Sequence, residues 1–159
     1  MANKKSPHLA FSIKYRGIAR ELISEAEIFN PLNNQRKKYK AIWDTGATHT
    51  AITSKVLKEL SLIIVDTTTI IGVNSKTEDI QVALFNLLLP NSVSIRGVRG
   101  SVCTIGGDAD ILIGMDIIRF GDLAISNGDG QTLFSFAIPP FENKTDLLEK
   151  ANKTNKNNF

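Results

Sequence analysis

The sequence predicts an all-β domain with one or two short helices, and three observations carry that expectation. Apolar residues recur in short alternating or continuous runs of strand length. Turn chemistry separates those runs, at Asn30-Pro31-Leu32-Asn33-Asn34, Asn74-Ser75, Pro90-Asn91-Ser92 and Asn127-Gly128-Asp129-Gly130. Two short segments, one after Thr53 and one after Gly114, space their apolar residues for a helix.

Composition sets the outer limits. A chain of 159 residues, 42% hydrophobic and 22% charged, is long enough for one core and short for two. Residues 1–8 read as a loose N-terminal segment, 9–140 as the domain, and 141–159 as a polar, disordered tail with a helical turn at Leu147-Leu148. The net charge is only +3, and eight of the 19 basic residues fall in two runs, Arg36 to Lys40 and Lys144 to Lys156. No aromatic residue interleaves with the tail's charges, and both runs read as solvated loops and ends, so no nucleic acid is expected as a partner. Cys103 is the only cysteine, which excludes an intramolecular disulfide and favours a reducing compartment. It sits in the strand-like run Val102 to Ile105 and reads as a small core residue, with nothing to bring His8 or His49 to it. No segment has the layout of a signal peptide and no apolar run approaches about 18 residues. A cytoplasmic protein with no membrane partner is the expectation.

In chain order, Leu9 to Tyr15 form a first strand and Gly17 ends it. Ile23, Ala26 and Ile28 support a second strand within Ile18 to Phe29. A helix over Ala19 to Ile28 is the rival, given Glu21, Glu25 and Glu27, but the turn at Asn30 to Asn34 favours the strand. The basic segment from Gln35 rises into Tyr39 to Trp43, which ends abruptly at Asp44-Thr45-Gly46-Ala47. Asp44 is thus delivered at a strand end, Gly46 permits a tight path, and Thr45 offers a hydroxyl to fix the loop. Thr53 to Leu60 form a short helix with Val56, Leu57 and Leu60 on one face and a hydroxyl at its start as cap. Ile63 to Val73 and Glu78 to Leu89 pair as a hairpin, with Ile80, Val82 and Leu84 inward and Phe85 as a further candidate. Val93 to Ile105 give one or two strands, interrupted by Gly97 and Gly100. Asp110 precedes the buried strand Ile111 to Ile113, and Gly114 follows it. Asp116 stands where the helix of Ile117, Ile118 and Phe120 starts, so its carboxylate is read as a cap rather than a second reactive acid. Asp108, Asp110 and Asp116 lack calcium-loop spacing, and no metal is expected. Leu123 to Ser126 and Thr132 to Ile138 make a last hairpin, and Pro139-Pro140 ends the fold.

The apolar run into Asp44-Thr45-Gly46-Ala47, followed later by Asp110-Ile111-Leu112-Ile113-Gly114-Met115-Asp116-Ile117-Ile118, resembles the retropepsin-like (retroviral-type) aspartic proteases over roughly Tyr39 to Ser126. That resemblance implies a closed, barrel-like fold with a flap hairpin and an aspartic endopeptidase working without a cofactor. Asp44 would be the catalytic acid, with Thr45, Gly46, Ala47 and Gly114 supporting its loop. Gly72, Val73, Asn74 and Ser75 would form the flap tip that meets a peptide or protein substrate. His49 would face away, since the family's chemistry does not use histidine. Because the chain holds one Asp-Thr-Gly and no internal repeat, an active enzyme would need Asp44 of a second copy, a homodimer joined through the N-terminal strand or the Thr132 to Ile138 strand. Two other readings stay open, a catalytically silent dimerisation or peptide-binding module and a β-rich nucleic-acid-binding domain.

Overall fold

The computed structural model describes residues 6–71 and 76–156. Ten strands run in order: β1 Leu9–Lys14, β2 Leu22–Phe29, β3 Arg36–Trp43, β4 Ala51–Ile52, β5 Ile63–Ile71, β6 Lys76–Leu88, β7 Ser94–Val102, β8 Ile111–Ile113, β9 Asp122–Ser126 and β10 Leu133–Ile138. Three α-helices join them, α1 Ser54–Glu59, α2 Met115–Ile118 and α3 Leu147–Lys156. The larger sheet has the order β2-β3-β8-β4-β7-β6-β5. Its ends meet, because β2 also pairs with β6 through Glu27↔Leu88, Ile28↔Leu87 and Phe29↔Asn86. Six strands therefore close into a barrel, and β5 lies outside it on β6. The expected barrel-like all-β fold is the one observed.

Closure needs an apolar inner face on every strand. Ala26 and Ile28 of β2, Tyr39, Ala41 and Trp43 of β3, and Ile111 and Ile113 of β8 supply it at alternate positions, all nearly inaccessible. The strand reading of Leu22 to Phe29 thus prevails over the helix, since its eight residues pair one for one with β3. Ser24 takes an inward position as well, and its hydroxyl accepts a hydrogen bond of 2.9 Å from the Trp43 indole. A polar atom there is paid back by that bond.

The inward face of β6 follows the sequence expectation only in part, at Val82 and Phe85, both buried. Ala83, Phe85 and Leu87 are wholly buried in the core, while Leu84 and Ile80 are only half-covered. Both phases of this strand are apolar, so alternation alone did not decide between them; the register with β7 does. Phe85 stands opposite Val98, and its ring fills the space beside Gly100, where a Cβ would come within 2.6 Å of it. The segment from Val93 is a single strand, β7, which passes through both glycines with a register shift between Phe85 and Leu87.

A second sheet, β1-β10-β9, packs Phe134 and Phe136 of β10 against Trp43, with ring centroids 5.3 and 4.7 Å apart. Phe11 of β1 joins them at 5.7 Å from the indole. Edge-to-face and tilted pairs of this kind add roughly 0.5–1.5 kcal/mol each beyond the area they bury. The last residue before Asp44 is thereby clamped between the two sheets.

At the start of α1, Thr53 makes no capping bond, contrary to expectation. Its hydroxyl instead donates to Asp110 Oδ1 at 3.0 Å, which ties the start of α1 to the residue that precedes β8. Leu147 and Leu148 begin the ten-residue helix α3, longer than the single turn expected there and without a buried residue. Among the described residues no helix is long and apolar enough to cross a membrane.

Candidate active site

Strands β3 and β4 are not neighbours. Both pair with β8, β3 in parallel through Ala41↔Ile111 to Trp43↔Ile113 and β4 antiparallel through Ala51↔Leu112 and Ile52↔Ile111. The loop that joins them, residues 44–50, must therefore cross the end of β8. That crossing explains Gly114: a Cβ there would meet the His49 carbonyl carbon at 2.6 Å and the Ala47 oxygen at 3.0 Å. Gly114 therefore lies in atomic contact with the loop that carries Asp44.

Backbone hydrogen bonds fix the crossing. The Asp44 N–H donates to Ile113 O at 2.9 Å, the Met115 N–H to Ala47 O at 2.8 Å, and the Asp116 N–H to Thr48 O at 3.1 Å. Inside the loop, the Gly46 N–H donates to Asp44 Oδ1 at 2.8 Å and the Ala47 N–H to Asp44 O at 3.3 Å. A Cβ on Gly46 would lie 3.1 Å from that same carboxylate oxygen, so a side chain there would crowd the acid. One Asp44 oxygen is held by its own loop, which leaves the half-buried carboxyl group aimed by the backbone.

Asp44, Gly46 and Ala47 line a cleft of about 480 Å³. Its other walls are Ala51 of β4, Leu112 of β8, Ser101 and Cys103 at the end of β7, and Thr68 and Thr69 of β5. A volume of that order suits a few side chains of a bound molecule. A larger hollow of about 670 Å³ between Ser6, His8 and residues 139–143 shares no residue with it.

Several sequence expectations change here. Cys103 is half-buried on the cleft wall rather than in the core, and desolvation pushes its thiol pKa up. His49 is exposed and borders the same cleft. Asp116 does not cap α2, whose N-cap is Gly114 without a side-chain bond. Its Oδ1 instead accepts the Thr50 hydroxyl at 2.9 Å. Thr50, wholly buried, in turn accepts the Gly114 N–H at 3.3 Å. Sequence reasoning missed Thr50, and the one signal available was a hydroxyl placed between an exposed loop and the apolar pair Ala51-Ile52. Thr45 is exposed on the loop. Gly72, Val73, Asn74 and Ser75 lie outside the described residues. Among the described residues no three His, Cys, Asp or Glu side chains converge as metal ligands.

A carboxyl group aimed by its own loop into a cleft can exchange a proton with a molecule bound there. Comparison with known proteins narrows that chemistry. Residues 31–119 match the family model described as "gag-polyprotein putative aspartyl protease". No curated protein sequence matches the chain. Among solved structures, the crystal structure of a retropepsin-like aspartic protease from Rickettsia conorii is similar, with a TM-score of 0.56 and 20% identity, over 84% of this chain and 97% of that one. The fold is retropepsin-like, and with the family model spanning the whole Asp44 loop, its crossing over β8 and α2, the chain belongs to the gag-polyprotein aspartyl protease family.

Proposed function

We propose that this protein is an aspartic endopeptidase, in which two Asp44 carboxyl groups, one from each subunit of a homodimer, activate a water molecule. The observation that carries the reading is the Asp44 carboxyl group held by the Gly46 N–H at the wall of a peptide-sized cleft. The chain offers one such loop, and two like charges about 3 Å apart share a single proton, so the acid and the base come from two copies. The ionised Asp44 takes a proton from the water, whose oxygen attacks the scissile carbonyl carbon. The protonated Asp44 gives its proton to the carbonyl oxygen. The C–N bond then breaks as the amine nitrogen is protonated, and the pair returns to its single shared proton.

The supporting residues follow from their places. Thr45, exposed and next to the acid, holds the two loops together across the two-fold axis. Gly46 and Ala47 shape the floor, and Gly114 lets the loop sit low enough on β8. The β5–β6 hairpin, with its tip at Gly72, Val73, Asn74 and Ser75, acts as the flap that excludes water. Of the two strands expected at the dimer sheet, β10 is flanked on both sides within its own chain, by β1 and by β9. The outer edge of β9 is the one proposed to pair, since Met115, Phe120 and Ile125, in the segment that leads from the Asp44 loop into it, are all exposed. Residues 9–140 are the working unit, acting in the cytoplasm on a peptide or protein substrate without cofactor or metal.

The test is cleavage of an unbiased peptide mixture at mildly acidic pH, read by mass spectrometry. Wild type should cut at a defined set of bonds, and Asp44→Asn should lower the rate at least about 100-fold, the lower end of what a positioned acid or base supplies. Cutting that survives Asp44→Asn overturns the proposal.

A further inference from the structure

The chain beyond β10 is first fastened to its own sheet. The Phe141 N–H donates to Asp122 Oδ2 at 2.7 Å, the Phe141 ring stacks on His8 with centroids 4.4 Å apart, and the His8 Nδ1–H donates to Pro139 O at 2.9 Å. Phe141, Asn143 and Thr145 face Ala124, Ser135 and Ala137 across a hollow of about 450 Å³. This strap, residues 139–146, therefore runs over the outer side of the β1-β10-β9 sheet, opposite the side on which Phe134 and Phe136 enter the core. At Leu147 it becomes α3, which buries nothing: Leu147 and Leu148 are each 71% exposed, more than any other large apolar side chain among the described residues. Leu147, Leu148 and Ala151 fall on one side of this helix, and Lys150, Lys153 and Lys156 on the other. A ten-residue helix is marginal in water unless something packs on it, so the leucine side calls for a partner.

The open edge of β9 needs a partner too, and it is too small to hold one alone. Paired with its symmetry mate it contributes five residues, whereas a stable interface engages about 20–30 on each side. Antiparallel pairing sets the start of each β9 beside the end of the other, so Asp122, which holds the strap, lies beside the partner's Ser126. Within each chain Ser126 stands opposite Leu133, and Leu133 opposite Lys14, all three on the outer side of the sheet. Leu133 is 43% exposed there. We infer that α3 is a dimer arm: Leu147, Leu148 and Ala151 of each protomer pack on the partner's Leu133, and the strap positions the arm through its bond to Asp122. The inference rests on the homodimer of the endopeptidase reading and names a second contact that holds it. Because the axis is two-fold, each copy gives one arm and receives one. The charges agree with this seat, since Asp146 opens α3 and the exposed Lys14 flanks Leu133.

Two experiments on the full chain test it. The first measures the dimer dissociation constant by analytical ultracentrifugation for wild type and for the double variant Leu147→Ser, Leu148→Ser. Neither leucine is buried in its own chain, so the protomer's fold, read by the fluorescence of the buried Trp43, should stay as it was. The dissociation constant should rise at least about tenfold, less than two leucines returned to water are worth. A constant equal to that of wild type overturns the inference and leaves the homodimer standing. The second reads the seat. Leu133→Cys and Leu148→Cys proteins are mixed and treated with a short bis-maleimide, and the joined peptides are identified by mass spectrometry. Residue 133 of one chain should be joined to residue 148 of the other. A dimeric mixture that gives only like-to-like links, or none, overturns the inference. A wild type that sediments as a single chain at every concentration and cuts nothing overturns both readings together.

Discussion

Thr50 has no reactive chemistry, yet two elements depend on its hydroxyl. It accepts from the Gly114 N–H at 3.3 Å and donates to Asp116 Oδ1 at 2.9 Å, and the whole side chain is buried. Thr50→Val keeps the shape and removes both bonds, leaving a buried N–H and one carboxylate oxygen without partners. The expected loss is about 1–3 kcal/mol, nearer the lower value because Asp116 is in part hydrated. Urea denaturation measures it, and Thr50→Ser should recover most of the stability; equal loss in both variants would mean that the methyl group, not the hydroxyl, matters. Asp44 was legible in the sequence because a strand that ends in an acid and a glycine announces a constrained turn. Thr50 was not, since its partners are 64 and 66 residues away and meet it only through the pairing of β4 with β8. Cys103 was misplaced for the same reason, as a strand-like run does not say which of its faces meets a cleft.

At the scale of elements, α1 is tied to the barrel by charge. Lys37 bonds Glu59 at 3.0 Å, and the Tyr39 hydroxyl donates to the same oxygen at 2.8 Å. Lys55 reaches back from the helix to Asp110 Oδ2 at 2.6 Å. The Lys37 ammonium first, and the Tyr39 hydroxyl second, hold the Glu59 carboxyl below its usual pKa. A depressed carboxylate stabilises the fold above its ordinary pKa and ceases to do so as pH falls through the folded value. The melting temperature should therefore drop through the acid range below about pH 4.3, the ordinary Glu value, and Glu59→Gln should flatten part of that drop by lowering the neutral-pH melting temperature toward the acid one. An unchanged acid limb in Glu59→Gln would assign it to other carboxylates, Asp108 beside Lys40 first among them. The helix itself was readable from Val56 and Leu60, both buried. The network was not, because Lys37 and Tyr39 reach it from a strand two places away along the chain. The inward face of β6 was ambiguous for a different reason: with apolar residues on both faces, the choice fell to Gly100, which leaves room beside it for the Phe85 ring.

For the whole molecule, the unbalanced feature is a shared apolar stretch. Met115 at 37%, Phe120 at 47% and Ile125 at 50% exposed follow one another from the end of the Asp44 crossing to the open edge of β9. On the two-copy reading this stretch and that edge are covered, an isologous contact in which β9 pairs antiparallel with its symmetry mate. Activity then depends on association: well below the dimer dissociation constant, the active fraction is proportional to concentration, so specific activity should fall about tenfold for each tenfold dilution. Ile125→Lys should move the onset of that fall to higher concentration, because a two-fold axis sets one ammonium near its copy, while the circular dichroism of the folded protomer stays as it was. Analytical ultracentrifugation over the same range supplies the mass that must track the activity. A protein that keeps constant specific activity while sedimenting as a single chain would show that Asp44 needs no twin, and the shared-proton chemistry would fall with it.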